Sequence, residues 1–237
     1  MSVALAVAVA PLVGGLLLVA TMHWFSVFAW LIAENSLIES FQLAFLVASV
    51  VLFTWIGIHL LRRRKDRLGL VYLAIALGAF FVLGEEISWG QTIFKWQPDT
   101  WLTRNNFQGE TNLHTGIAHG PTVYGFILIA GYGAFVPLVA SRFVERRNSV
   151  TYLLVPPLAL VPAFFVPFAY RVVRSVFDPL AHIPRYAFEI DRFSEWGELS
   201  LFFGVLIVAV LTWRLRVRGK ADLHEPRSAE TTRRSDH

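Results

Sequence analysis

Residues 68–91 read LGLVYLAIALGAFFVLGEEISWGQ, and this stretch decides the fold class. Its first part, up to residue 83, carries no charge, and a helix of about 20 mainly apolar residues crosses a hydrocarbon core of about 30 Å. The apolar run then meets Glu85 and Glu86. An ionisable pair at a membrane boundary is costly enough to indicate a functional site. The stretch therefore predicts a membrane-spanning helix that ends in a polar site.

The composition of the whole chain supports this interpretation. Hydrophobic residues make up 55% and charged residues 16% of the sequence, and the mean hydropathy is +0.54. Such values indicate a polytopic membrane protein. The absence of cysteine excludes disulfides, thiolate metal sites and cysteine nucleophiles. Basic residues occur in short loops and in the tail, without the interleaved aromatic residues of nucleic-acid binders, so no nucleic-acid partner is expected.

Apolar segments of sufficient length occur six times, at residues 3–22, 37–61, 68 to about 89, 122–140, 150–170 and about 196–213. The first has no basic region before it and is read as a retained helix, not as a signal peptide. We therefore predict an all-α bundle of six transmembrane helices in residues 1–218. It has an outer re-entrant or interfacial loop at 95–120, followed after the last helix by a disordered tail at 219–237.

Lysine and arginine cluster after the second, fourth and sixth predicted helices, at residues 62–67, 142–147 and 214 onward. Basic loops favour the cytoplasmic side of a membrane. Only an even number of crossings puts all three clusters on one side. Both termini are therefore predicted to be cytoplasmic.

Acidic residues partition the opposite way, although acids contribute little to topology. Of the 17 acids, 11 lie outside or at the outer boundary: Glu34, Glu39, Glu85, Glu86, Asp99, Glu110, Asp178, Glu189, Asp191, Glu195 and Glu198. Insertion rules do not explain this clustering. We infer that the outer face uses carboxylates.

Polar stripes enter the membrane from the outer side on two helices. The second helix carries Asn35, Glu39 and Gln42, and the sixth carries Asp191, Glu195 and Glu198. Each set has the spacing i, i+4, i+7, which places its members on one helix face. Helix capping and helix–helix hydrogen bonding are the alternatives. These alternatives fit Gln42 and Asp191 better than Glu39 and Glu198.

Glu85 and Glu86 point about 100° apart on a helix, so at most one of them faces directly into the bundle. The alternative is an interfacial pair that reaches water. We predict that the outer helix ends converge on one cavity capped by His114. The predicted catalytic residues are Glu85, Glu86, Glu39 and Glu198, and the predicted substrate-binding residues are Trp89, Gln91, Asn112 and Gln42.

The outer loop contains a possible metal-binding pair, because Glu110 and His114 are spaced i, i+4. A single helical turn there would aim a carboxylate and an imidazole at one point. With Glu and His ligands and no Cys, the divalent metal would be Zn, Fe or Mn. The predicted ligands are Glu86, Glu110 and His114. The alternative is a surface pair without a ligand.

Two motifs carry a resemblance to a known group of proteins. GEEISWGQ at 84–91 and NFQGETNLH at 106–114 resemble the motif pair of a family of bacterial integral membrane proteins. That family carries GEEISWGQ and N-x-QGE-x-NLHN, with an ENSLIE-like segment, here at 34–39, before an early helix. The chain departs from this pattern at Thr115, where the family has Asn. The resemblance implies homology and a multi-pass location in the bacterial inner membrane, but it implies no reaction.

Two fainter similarities suggest hydrolytic chemistry. Glu, Ser and His residues at helix ends are similar to those around zinc in alkaline-ceramidase-like membrane hydrolases, but the transmembrane histidine cluster of those enzymes is absent. The Glu85–Glu86 pair is similar to that of CAAX-type intramembrane proteases, with Gly90 in place of their arginine.

The expected function is that of a metal-dependent hydrolase or transferase with an outward-facing carboxylate and histidine site. Its substrate would be a lipid or a lipid-linked component of the envelope, with membrane lipids as partners. The alternative is a non-catalytic transporter coupled to protons or cations, or a subunit of a membrane complex. A polar path to the cytoplasm would favour transport, and a closed pocket at the outer boundary would favour an enzyme.

Overall fold

The computed structural model describes residues 3–32, 36–64, 67–96, 101, 104–106, 109–114, 119–143, 154–176 and 187–214. These residues form an all-helical fold. Its helices are α1 (Val3–Thr21), α2 (Phe25–Ile32), α3 (Leu37–Arg64), α4 (Leu68–Glu86), α5 (Gln91–Phe94), α6 (His119–Phe143), α7 (Val161–Val176) and α8 (Ala187–Trp213). The predicted tail at 219–237 lies outside the described residues.

Six stretches are long and apolar enough to cross a membrane. They are Val3–Thr21, Phe25–Arg62, Leu68–Glu86, His119–Arg142, Leu158–Ser175 and Ala187–Trp213. The predicted all-α class and the predicted number of spans are therefore confirmed. The second stretch includes the short helix α2, which was not predicted as a separate element.

Helix α8 lies at the centre of the bundle and contributes to three apolar clusters. Leu201 and Phe202 pack with α3, α6 and α7, and Ala209 packs between α3 and α4. Leu199 packs with α1, α2 and α3. Every other spanning helix is thus held, directly or through a neighbour, against this one element.

Helices α3 and α4 cross at a pair of glycines. A Cβ atom on Gly69 would lie 2.7 Å from the carbonyl oxygen of Gly57, which is too close for any side chain at this position. The small residues of α4 therefore allow close helix packing here. Gly78 lies on the same helix but has open space around it.

The fifth span differs from its prediction. The predicted segment 150–170 begins too early, because Pro156 and Pro157 precede a 3-10 turn at Leu158–Leu160 and α7 starts only at Val161. It also ends too early, since α7 continues to Val176 and contains Arg171 and Arg174.

The sixth span begins earlier than predicted, since α8 starts at Ala187 and not near residue 196. Much of the expected surface-lying connection at 171–193 is therefore helical. The helices continue past charged residues because those residues pair with one another, Arg171 with Glu198 and Arg174 with Asp191.

Contacts between residues near the helix ends show which ends meet. Gln42 of α3 bonds to Glu195 of α8, and Glu86 of α4 lies near Glu198 of α8. Arg171 of α7 bonds to Glu198 and lies over the ring of Phe126 of α6. One end of the bundle therefore carries the start of α3, the end of α4, the start of α6, the end of α7 and the start of α8. We call it the carboxylate end, because Glu39, Glu86 and Glu195 lie there. Arg62 and Arg142 lie toward the opposite end.

Candidate functional site

Glu85 anchors the loop that follows α4. Its side chain is 5% exposed, and its Oε2 atom accepts the backbone N–H groups of Leu113 at 2.6 Å and His114 at 3.0 Å. The indole N–H of Trp89 donates to Oε1 at 2.6 Å. Charge-assisted bonds of this kind are stronger than neutral ones. They give Glu85 a structural role in this structure, and its predicted catalytic role stays a prediction.

A second set of hydrogen bonds joins the two motifs directly. The Ser88 hydroxyl donates to Glu110 Oε2 at 2.6 Å, and Asn112 Nδ2 donates to the same oxygen at 2.7 Å. The backbone N–H of Thr111 donates to Gln91 Oε1 at 2.8 Å. Ser88, Thr111 and Asn112 are all buried. GEEISWGQ and the second motif therefore bind each other and form one folded unit.

The chain reverses direction after α4 through a left-handed turn. Ser88, Trp89 and Gly90 have positive φ angles of 47°, 51° and 92°. Such angles are uncommon outside glycine and persist where the surroundings hold them. Here the Trp89 ring packs on Gly84, where a Cβ atom would lie 2.9 Å from the indole. The motif thus supplies a glycine for the indole, a carboxylate for its N–H and a glycine for the turn.

The segment 109–114 is not helical, so the predicted helical turn at Glu110 and His114 is wrong. Glu110 accepts hydrogen bonds from Ser88 and Asn112, whereas His114 Nδ1 lies 3.5 Å from Glu85 Oε2. Hydrogen bonds from this segment to Glu85 and Ser88, in the preceding motif, form in place of a local helix. The carboxylate and the imidazole consequently face different partners.

A small chamber lies at the carboxylate end, between α4, α6, α7 and α8, and has a volume of about 90 Å³. Its polar lining consists of Glu85, Glu86, His114, His119, Thr122, Arg171 and Glu198. Phe81, Val82, Val123 and Phe126 form its apolar wall. The structure therefore brings together Glu86, Glu198 and His114, but Glu39, which the convergence hypothesis also includes, does not line the chamber.

Carboxylates dominate the electrostatic surroundings of Glu86. Glu198, Glu195 and Glu39 all lie close enough to interact with its charge, and Arg171 is the cation that opposes them. Glu39 is thus near Glu86, although it does not line the chamber. The chamber and its surroundings therefore combine several carboxyl groups with the guanidinium group of Arg171.

Arg171 links α7 to the chamber and was not predicted as a site residue. Its Nη2 atom donates to Glu198 Oε1, and its guanidinium lies 5.6 Å from the centre of the Phe126 ring. Arg171 and Arg174 are one turn apart near the end of a span that is predicted to be outer, where the positive-inside rule disfavours arginine. That exception to the charge pattern was the signal that could have identified them.

Beside the chamber lies a larger outer cavity of about 450 Å³. It is lined by His119, Gly120, Val123, Tyr124, Tyr170, Arg171, Arg174, Ser175, Asp191 and Ser194. His119, Val123 and Arg171 line both spaces. The two cavities are therefore neighbours that share one wall.

The predicted substrate-binding residues Trp89, Gln91, Asn112 and Gln42 do not line the chamber. Each has a polar atom in an internal hydrogen bond; Gln42 Nε2, for example, donates to the backbone oxygen of Glu195 at 2.7 Å. Gln42 is 1% exposed, and its Oε1 atom has no hydrogen-bond partner among the described residues. Their role in binding substrate stays a prediction.

The predicted metal ligands are not brought together. Across the described parts of the chain, no group of three or more His, Cys, Asp and Glu side chains is arranged to hold a metal ion. Glu86 and His114 line the chamber, but Glu110 is bonded to Ser88 and Asn112. The donor set therefore lends no support to a metal, and the metal hypothesis stays a prediction.

Comparisons of the chain with protein-family models, with curated proteins and with solved structures found no match. The family suggested by the two motifs stays a prediction. The case for a function consequently rests on the chemistry of the chamber and of the outer cavity.

Proposed function

We propose that the chain is a membrane-embedded hydrolase or transferase that uses acid–base chemistry on a lipid or lipid-linked envelope substrate. The observation that carries this proposal is the chamber in which Glu86, Glu198 and His114 meet Arg171. We place the protein in the bacterial inner membrane, with this chamber on the outer side.

The chamber contains the groups that proton transfer requires. Glu86 would act as the general base that takes a proton from an attacking water or hydroxyl group. His114 Nδ1 is buried and lies 3.5 Å from Glu85 Oε2, and the imidazole would pass a proton to the leaving group. Arg171 would stabilise negative charge that develops in the transition state. Glu198 holds Arg171 in place.

The opposite end of the bundle supports an enzyme over a transporter. There, α3, α4 and α8 are packed through an apolar cluster of Phe53, Ile56, Leu60, Leu68, Tyr72, Ala76 and Ala209. A proton or cation would need polar groups or water to pass this region, since charge in an apolar medium is costly. An apolar barrier between these three helices favours a site that opens to one side of the membrane only.

Exposed aromatic residues near the chamber support a substrate that lies in the membrane. Trp89, Phe94 and Trp96 follow α4 and are 42%, 78% and 43% exposed. Tryptophan favours the boundary between lipid and water. The chamber therefore lies at the depth of lipid headgroups, where a lipid-linked substrate would present its reactive group.

The proposal is tested by reconstituting the purified full chain into liposomes made from bacterial lipid extract and following lipid products by mass spectrometry. We expect wild-type protein to convert a lipid component. Glu86→Gln should slow the conversion by about a hundredfold or more, because removal of a general base typically has an effect of this size. His114→Ala should have a similar effect.

Proton movement in the same liposomes distinguishes the alternative. A pH-sensitive dye inside the vesicles should report no flux above that of empty vesicles. Flux that depends on Glu86, together with unchanged lipids, would reject the enzyme and favour the transporter.

A further inference from the structure

The outer cavity offers mainly hydrogen-bond donors. The residues that line it carry two guanidinium groups, an imidazole, two phenols and two hydroxyls, against the single carboxylate of Asp191. The Tyr170 and Ser194 hydroxyls already donate to backbone oxygens, so the two arginines are its main donors. We propose that this cavity binds the phosphate group of an anionic substrate, which makes the substrate a phosphate-bearing lipid. This inference rests on the proposed function and specifies its substrate class.

Arg171 and Arg174 give the cavity its positive charge. They are three positions apart on α7, so they lie on the same face of the helix. Their side chains are only 21% and 25% exposed, which restricts their movement. The planar guanidinium presents five N–H donors in a fork that matches phosphate oxygens. Two such groups one turn apart are well suited to hold a single phosphate.

The two arginines differ in how firmly they are paired. Arg174 Nη2 contacts Asp191 Oδ1 at 2.8 Å, but the Asp191 side chain is 68% exposed. Exposed ion pairs contribute little to stability, so a phosphate can replace Asp191 at modest cost. Arg171 is paired with Glu198, whose side chain is only 14% exposed. Arg171 thus stays fixed at the chamber while Arg174 exchanges its partner.

The shared wall connects phosphate binding to the proposed chemistry. Arg171 and His119 line both cavities. A phosphate held between Arg171 and Arg174 would therefore place the adjoining part of the substrate beside Glu86 and Glu198. The positive charge of Arg171 also lies between the phosphate and these carboxylates, which reduces their repulsion.

Binding is measured with the full chain in a maltoside detergent, which contains no phosphate. The probes are dioctanoyl phosphatidic acid, dioctanoylglycerol with the same chains but no phosphate, and inorganic phosphate. We expect phosphatidic acid to raise the melting temperature and dioctanoylglycerol to leave it unchanged. Arg174→Gln should weaken phosphatidic acid binding roughly tenfold, as expected for loss of one charged hydrogen-bond partner.

Two further variants separate ligand binding from a structural effect. Asp191→Asn removes the competing carboxylate, so it should tighten phosphatidic acid binding by about twofold or more. Arg62→Gln changes an exposed arginine at the opposite end of the bundle and should have no effect. Equal binding of the two lipids, or equal affinities in Arg174→Gln and Arg62→Gln, would overturn the inference.

The remaining outcomes identify the source of the phosphate and separate this inference from the proposed function. Stabilisation by inorganic phosphate that depends on Arg174 supports recognition of the group alone, and stabilisation by phosphatidic acid only supports a lipid headgroup. Glu86→Gln should bind phosphatidic acid at least as tightly as wild type does, because it removes a carboxylate near Arg171. If wild type binds it through Arg174 but converts no lipid, the proposed function fails and the phosphate site stands. Lipid conversion without Arg174-dependent binding refutes the phosphate site alone.

Discussion

Glu85 and Glu86 are adjacent acids whose carboxylates make different contacts. Glu85 accepts three N–H donors, from Trp89, Leu113 and His114. Glu86 instead lies among other carboxylates and near Arg171. Rotation of about 100° per helical residue separates the two directions. One motif therefore provides both an anchor for the loop and a candidate for proton transfer.

These different contacts predict opposite effects on stability when Glu85 and Glu86 are each replaced by glutamine. Glu85→Gln should lower stability by about 1–3 kcal/mol, because backbone donors lose a charged acceptor in a buried site. Glu86→Gln should leave the melting temperature unchanged or raise it, since it removes charge from a cluster of acids. Thermal unfolding of both variants in detergent checks this, with limited proteolysis of the loop as a second readout. Equal losses of stability in the two variants would contradict this prediction.

The positions of these acidic and histidine side chains could be predicted only in part from their spacing in the sequence. Helical geometry separates the directions of the two acids, but both line the chamber, so their spacing alone did not decide which of them faces the site. It failed for Glu110 and His114, whose positions depend on Ser88, Asn112 and the backbone N–H groups of the loop. Every residue except proline carries the same backbone N–H donor, so the sequence does not reveal which of these donors a side chain will meet. Their placement depends on the tertiary structure, which spacing does not reveal.

At the scale of helices, hydropathy predicted the number of spans but misplaced the ends of α7 and α8. Arg171 and Asp191 lower the mean hydropathy of any window that contains them, so hydropathy predicts that the spanning helices stop short of these residues. In the structure their charges are balanced across the α7–α8 contact, where Arg171 pairs with Glu198 and Arg174 with Asp191. The helices therefore continue to the point where these pairs form. A hydropathy criterion is applied to one helix at a time, so it does not detect charges that are paired between two helices.

The crossing of α3 and α4 yields a prediction about packing. Gly69→Ala would place a Cβ atom 2.7 Å from the Gly57 carbonyl oxygen, and the backbone can relieve this contact only if the helices separate. We expect a loss of about 1–3 kcal/mol, the usual effect of overpacking. Thermal or detergent-induced unfolding measures the change.

Gly78→Ala is the matched control on the same helix. Nothing lies within 4 Å of the added Cβ atom, so the substitution should be neutral or stabilising by up to about 1 kcal/mol through helix propensity. If Gly69→Ala proves as stable as Gly78→Ala, the close approach of the two helices is wrong.

At the scale of the whole molecule, the two ends of the bundle differ in composition. Polar groups that bond across elements concentrate at the carboxylate end, where loop, α4, α7 and α8 meet. Apolar packing holds α3, α4 and α8 together toward the other end. Buried polar groups need partners, and the folded loop supplies those of Glu85 and Ser88. Among the described residues, the fold thus gathers the acidic side chains at one end of the bundle, on one side of the membrane.

Which side that is can be decided by labelling, because the chain contains no cysteine. Basic residues at 62–67, 142–147 and 214 onward predict that the carboxylate end faces outward. Asn105→Cys, at an exposed loop position, should react with a membrane-impermeant maleimide in intact cells. Arg62→Cys, exposed at the opposite end, should react only after the membrane is permeabilised. The reverse pattern would place the chamber on the cytoplasmic side and exclude an envelope substrate, while leaving its acid–base groups and phosphate cavity unchanged.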